Sequence, residues 1–142
     1  MTDRRHFTLA ALGLAAVSAR AAAASLSEPE RAAFVARALA LRDEAIRRGD
    51  QPYGAVVVKD GAIVGEGVSA VITANDPDAH AERVALRDAL QRLRATELTG
   101  GLLIGSSRAC TLCEAAAFRA GIVRMYYGSA GSDGGAPRAT TL

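Results

Sequence analysis

Three side chains in this sequence, His80, Cys110 and Cys113, are of the types that bind a soft or borderline metal, and a carboxylate stands two residues from one of them. Cys110-Thr111-Leu112-Cys113 places two sulfurs on what reads as a first helical turn, where unpaired backbone N–H groups and the helix dipole favour thiolates. Once an N-terminal leader is set aside, His80 is the one histidine and these are the only cysteines, so the nitrogen and sulfur donors stop at three. A structural zinc site takes four such donors, whereas a catalytic one takes three and leaves a position for water. The expectation is an open Zn2+ site, with Glu114 as the carboxylate that would otherwise close it. Two thiolates cancel the charge of the dication, so the metal is a tempered Lewis acid that benefits from a nearby base, and Glu82 is the candidate proton shuttle.

These residues need a scaffold that brings positions 80 and 110 together. Ser27-Glu28-Pro29-Glu30 is a capping box that starts a helix, with an apolar stripe at Phe34, Ala38, Leu41 and Ala45 and a stop at Gly49. Ala55 to Val58, the turn Asp60-Gly61, and a second β-branched run from Ala62 on to Ile72 predict a hairpin. Asp76-Pro77 predicts the next helix, with Asp76 as N-cap and Pro77 in its first turn. Its apolar side is Ala81, Ala85 and Ala89 with Leu86, Leu90 and Leu93, and Arg83, Arg87, Gln91 and Arg94 form a solvated stripe. A strand at 101–105, a helix at 110–120 and a strand at 122–127 complete the order. The second hairpin strand and the two later strands should run the same way, so the loops at 73–79 and 106–109 meet at one carboxyl edge of the sheet.

The rest of the composition narrows the function. Half of the 142 residues are apolar, enough for one core, and the formal net charge is +2 with no dense basic run. Aromatic residues are 4% and tryptophan is absent, which disfavours extended binding of single-stranded nucleic acid. Arg4-Arg5, the apolar run from Leu9 to Val17 and Ala19-Arg20-Ala21 read as an export signal of the twin-arginine type, so residues 1–24 are set apart. The expected location is periplasmic or secreted, with no membrane association in the mature form. Residues 25–129 form the expected catalytic domain, and 130–142, rich in Gly, Ser, Ala and Thr, a flexible tail.

His80-Ala81-Glu82 followed by Cys110-x-x-Cys113 resembles the zinc-dependent cytidine deaminase superfamily. Gly54 to Gly61, Asn75 to Glu82 and Arg124-Met125-Tyr126-Tyr127-Gly128 are similar to its guanine deaminase and tRNA adenosine deaminase branch. The resemblance implies an α/β fold of three layers, α/β/α, with a mixed sheet in which a hairpin joins parallel strands. It also implies a zinc-bound hydroxide that attacks the amino-bearing carbon of a base, with Glu82 moving protons, and it implies a homodimer. The expected substrate is a small-molecule nucleobase or nucleoside rather than nucleic acid.

The sequence departs from that pattern at three places. Arg108-Ala109 stand where relatives have Glu-Pro, and Ser69 stands where relatives have a substrate-binding Asn, so Ser69 is the aligned substrate contact. The resemblance also calls for more chain after Gly128, so a sheet edge or part of a lid is expected to be missing at the C-terminus. Two rival readings follow: a deaminase-like zinc-binding protein without activity, and an exported CxxC thiol-disulfide module.

Overall fold

The computed structural model describes residues 25–139. The export signal expected at residues 1–24 lies outside them. Helix α1 (Glu28–Arg47) begins as the capping box requires: Glu30 N–H donates to Ser27 Oγ, and the Glu30 carboxylate accepts from Ser27 N–H at 3.0 Å. Such a cap stabilises a helix by about 1 kcal/mol. The buried stripe of α1 is Val35, Ala38, Leu41 and Ala45, so Val35 takes the place expected of the half-buried Phe34.

Strands β1 (Gly54–Lys59) and β2 (Ala62–Val68) form the expected hairpin. Asp60 and Gly61 have φ of 52° and 77°, the pair of positive values that a two-residue turn matched to strand twist demands. The strand β2 ends at Val68, before Ile72, because the chain turns away there through residues 71–75. Helix α2 (Ala81–Leu93) is followed by β3 (Leu102–Gly105), α3 (Thr111–Ala120), β4 (Arg124–Tyr127) and β5 (Ser132–Gly135).

The sheet order is β2-β1-β3-β4-β5. Since β1 is antiparallel to both β2 and β3, and β3 is parallel to β4, the strands β2, β3 and β4 do run the same way. The central strands are buried on both faces and alternate between two cores. Ala55, Val57 and Leu103 pack with Ala81, Ala85 and Ala89 of α2 and Ala117 of α3. Val56, Val58, Leu102 and Ile104 pack with Val35, Ala38 and Leu41 of α1. The result is three layers, with α1 on one face and α2 and α3 on the other. Each fully buried Val, Leu or Ile contributes about 1.5–3 kcal/mol, so the sheet is held from both sides.

Two expectations need correction. Asp76 does not cap α2: its carboxylate accepts from Asp78 N–H at 2.9 Å in a local turn, and the helix starts at Ala81, with His80 itself as N-cap. The segment from 130 onward is not wholly a tail. Gly128 and Gly131, at φ of 76° and 59°, reverse the chain so that β5 pairs antiparallel with β4, and Asp133 forms an ion pair with Arg124. Backbone pairing supplies that strand without any apolar periodicity, which is why the sequence pattern did not announce it. The sheet thus gains a fifth strand at the edge expected to lack one.

Asp50, just after α1, ties the segment that leads to His80. Its buried carboxylate accepts from Ser69 Oγ at 2.8 Å and from the backbone N–H groups of Ile72 and Thr73 at 3.1 and 2.7 Å. Burial alone would raise its pKa, but hydrogen bonds from Thr73, Gln51 and Ser69 outweigh that and hold it well below the usual carboxylate range. A depressed folded-state value means that Asp50 stabilises the fold above the unfolded carboxylate pKa of about 3.9, a contribution lost as pH falls through the depressed value. Asp50→Asn is therefore expected to lower the melting temperature at pH 7 and to flatten its fall in acid. Equal melting curves for variant and parent across pH 3 to 7 would remove Asp50 from this role.

Candidate metal centre

His80 and Cys110 are the N-cap residues of α2 and α3, each in extended backbone (φ −62° and −68°). Both helices start at the same sheet edge, after strands that point the same way, so the two caps face each other. Cys110 Sγ lies 3.6 Å from His80 Nδ1, Cys113 Sγ lies 3.5 Å from the same nitrogen, and the two sulfurs are 3.2 Å apart. With Zn–S of about 2.3 Å and Zn–N of about 2.0–2.1 Å, a tetrahedron has S···N edges of about 3.6 Å and an S···S edge of about 3.8 Å. The nitrogen–sulfur distances already fit, and the sulfur pair needs to open by about half an ångström. Among the described residues these three form the one group of His, Cys, Asp or Glu side chains close enough to share an ion.

Cys113 is buried and Cys110 is exposed; neither is in a disulfide. Cys110 Sγ accepts from Cys113 N–H at 3.4 Å, the helix-start contact anticipated from CxxC. The Cys113 thiol, however, is pushed well above its ordinary pKa by burial first, then by the charge of Glu82 and by Cys110, with Arg83 pulling the other way. In the metal-free chain burial wins over the dipole at Cys113, so a metal must displace its proton to bind.

Glu82 is 7% exposed, although carboxylates are rarely buried without a charged partner. Burial raises its pKa, opposed by its own backbone N–H, by His80 and by Cys113. It lines a cavity of about 300 Å³ together with His80, Cys110, Gln51, Tyr53, Ser107 and Arg108. It also borders a much smaller cavity of about 20 Å³ behind the site, shared with Ser107, Arg108, Glu114 and Tyr127. That second space has room for about one water molecule.

Other expected residues sit elsewhere. Glu114 is not part of the metal group: its carboxylate accepts from Arg138 N–H and Nε–H at 3.0 and 3.1 Å, which fastens the segment after β5 to the helix that carries Cys113. Ser69 is 1% exposed, donates to Asp50, and does not line the larger cavity. Arg108 does line it, with its guanidinium 5.4 Å from the centre of the Tyr127 ring. Gln51 and Tyr53 were missed from the sequence. The signal was available: β1 is antiparallel to β2 and β3, so the residues that precede it lie at the edge where those strands end. Ser106 N–H donates to Gly54 O at 2.8 Å and Ser69 N–H to Tyr53 O at 3.1 Å across that edge.

Residues 28–129, which contain the whole constellation, match the cytidine and deoxycytidylate deaminase zinc-binding region. The chain belongs to this zinc-binding deaminase family. It is 41% identical over 101 residues to guanine deaminase from Bacillus subtilis, spanning 70% of this chain and 65% of that protein. With tRNA-specific adenosine deaminase from Agrobacterium fabrum it shares 37% over 107 residues, spanning 75% of this chain and 70% of the relative. The crystal structure of the Bacillus guanine deaminase superposes with a TM-score of 0.67 over 73% of this chain and 65% of that one, at 38% identity. A structure from work on A-to-I editing by tRNA:A34 deaminases also gives 0.67, at 37% identity, over 69% of this chain and 75% of that one. The fold is thus cytidine deaminase-like, and zinc is the cofactor of the family domain. The chain spans about two thirds of the length of the first two relatives.

Proposed function

We propose that this chain is a hydrolytic deaminase acting on an aminated nucleobase or nucleoside. The observation that carries the reading is the buried Glu82 carboxylate, which faces the same cavity as His80 and Cys110. His80 Nδ1, Cys110 Sγ and Cys113 Sγ are the proposed metal ligands. Zinc, when held there, supplies a Lewis acid that lowers the pKa of water. Everything else falls to the protein. Glu82 takes the proton that water gives up, passes it to a ring nitrogen next to the amino-bearing carbon, and moves a proton to the departing nitrogen. Water and an aromatic amine thereby become a carbonyl and ammonia, with no redox partner. A carboxyl whose pKa is raised by burial suits a group that must both accept and return a proton near neutrality.

A cavity of about 300 Å³ is at the small end of small-molecule sites and fits a base or nucleoside. Gln51, Tyr53 and Ser107 offer it neutral hydrogen-bonding groups. Ser69, buried against Asp50, is better read as a support for the loop that carries His80 than as a substrate contact. A homodimer, implied by the family, belongs to the same proposal and is read from the sedimentation mass.

The test is the zinc content of the purified chain beside that of Cys113→Ala. About one zinc per chain, lost in the variant, with ammonia released from a panel of bases and nucleosides, is the expected outcome. Zinc without turnover on any of them would favour the inactive zinc-binding reading. Metal-free protein with Cys110 and Cys113 joined would bring the redox reading forward, which the sulfur separation of 3.2 Å already permits.

A further inference from the structure

We propose that Arg108 is the specificity-determining residue of this site and that the substrate is an aminated heterocycle bearing an anionic group, a phosphate or a carboxylate. The inference rests on the deaminase reading and narrows its substrate. Two thiolates neutralise a zinc dication, Gln51, Tyr53 and Ser107 are neutral, and the one carboxylate that lines the space, Glu82, is buried and committed to proton transfer. Arg108 is left as the fixed charge at the exposed side of the cavity.

Its placement is built rather than incidental. The loop that carries it is fastened to the sheet edge on two sides: Gly54 N–H donates to Ser106 Oγ at 3.0 Å, and Gly128 N–H donates to Gly105 O at 3.0 Å. The guanidinium lies over the ring of Tyr127, the residue of β4 in register with Gly105. Its Nη1–H also donates to the Tyr127 hydroxyl at 3.5 Å, so ring and hydroxyl together hold the guanidinium while its other N–H groups have no partner among the described residues, and those groups are donors only. Among the described residues no carboxylate forms an ion pair with Arg108. The nearby Glu114 carboxylate is bound by Arg138 and feels Arg108 only through space, so the free donors of Arg108 are complementary to a ligand oxyanion, which they can hold through two parallel hydrogen bonds.

The zinc-loaded chain should be assayed for ammonia release from cytidine, guanosine and adenosine against their 5′-monophosphates, and from cytosine against 5-carboxycytosine. In at least one pair the anionic member is expected to be preferred in kcat/KM by about tenfold or more, mainly through KM. The monophosphate and carboxylate pairs identify which oxyanion is read. In Arg108→Gln that ratio is expected to collapse to near one, and Arg108→Lys, which keeps the charge without the planar fork, to recover only part of it. A preference for the neutral member of every pair, or a ratio that survives in Arg108→Gln, would overturn the proposal. Absence of ammonia from every compound would sink the deaminase reading itself. The anion site is then decided by calorimetric titration of uridine 5′-monophosphate against uridine, with and without zinc. Tighter binding of the monophosphate, lost in Arg108→Gln, sustains it, and equal binding rejects it.

Discussion

Glu82→Gln is expected to lower kcat by about a thousandfold while zinc stays at one per chain, the middle of the range for removal of a positioned acid–base group. Glutamine keeps the volume and one acceptor oxygen, so packing against the buried wall is preserved and only the mobile proton is lost. The metal content is the control, because His80 lies two positions away and a displaced helix would lose zinc together with activity. Stability supplies a second readout on the metal-free chain. Burial places the folded-state pKa of Glu82 above the unfolded value of about 4.3, so as pH rises past that value the unfolded chain ionises first and gains ground. The variant lacks this cost, so it should melt higher than the parent at pH 7 and converge with it in acid. A variant that keeps a tenth or more of the parental kcat would mean that the proton moves by another route. Under the redox reading the same change leaves thiol-disulfide exchange intact.

The gap between sequence and structure falls where hydrogen bonding, not hydrophobic pattern, sets the conformation. The strand β1 was legible because Ala55 to Val58 is buried on both faces and cannot be anything but central. The meeting of His80 with the two cysteines was legible because strands of one direction put their following loops at one edge. Asp76, by contrast, had an equally good local partner two residues on, and that turn delayed α2 to Ala81. The consequence is chemical: a helix starting at Pro77 would have carried His80 in its first turn, whereas the late start makes His80 the cap. Ser69 and Asp50 are 19 residues apart and no short-range pattern links them. Strand β5 is Ser, Asp and two glycines, residues that are poor strand formers, so its pairing with β4 could be seen only once Asp133 was placed opposite Tyr126, within ion-pair reach of Arg124.

Gly67→Ala is expected to displace the metal site although it adds a single methyl group at a residue that does not line the cavity. Strand β2 and helix α2 pack backbone against backbone: a Cβ at Gly67 would lie 1.9 Å from Ala81 O and 2.6 Å from Ala85 N. One turn on, a Cβ at Gly65 would lie 2.4 Å from Ala85 O. These are main-chain atoms that no rotamer change can move aside. The start of α2 must retreat by roughly an ångström, and His80 and Glu82, on either side of Ala81, retreat with it, while Cys110 and Cys113 stay on α3. Overpacking of this kind costs about 1–3 kcal/mol, and a misplacement of that size at a reacting group costs about a hundredfold in rate. Zinc affinity should fall in parallel, since the 3.5 and 3.6 Å distances from His80 to the two sulfurs are what the displacement stretches. Gly61→Ala separates position from mere instability. That glycine, at φ of 77°, is strained by any side chain but faces open space in the β1–β2 turn, so its replacement should destabilise the fold and leave zinc and kcat nearly as they were. If both variants lost stability alike and both kept their zinc, the contact at Gly67 would be packing alone; loss confined to Gly67→Ala would show that the glycines of β2 set the distance across which the ligands meet.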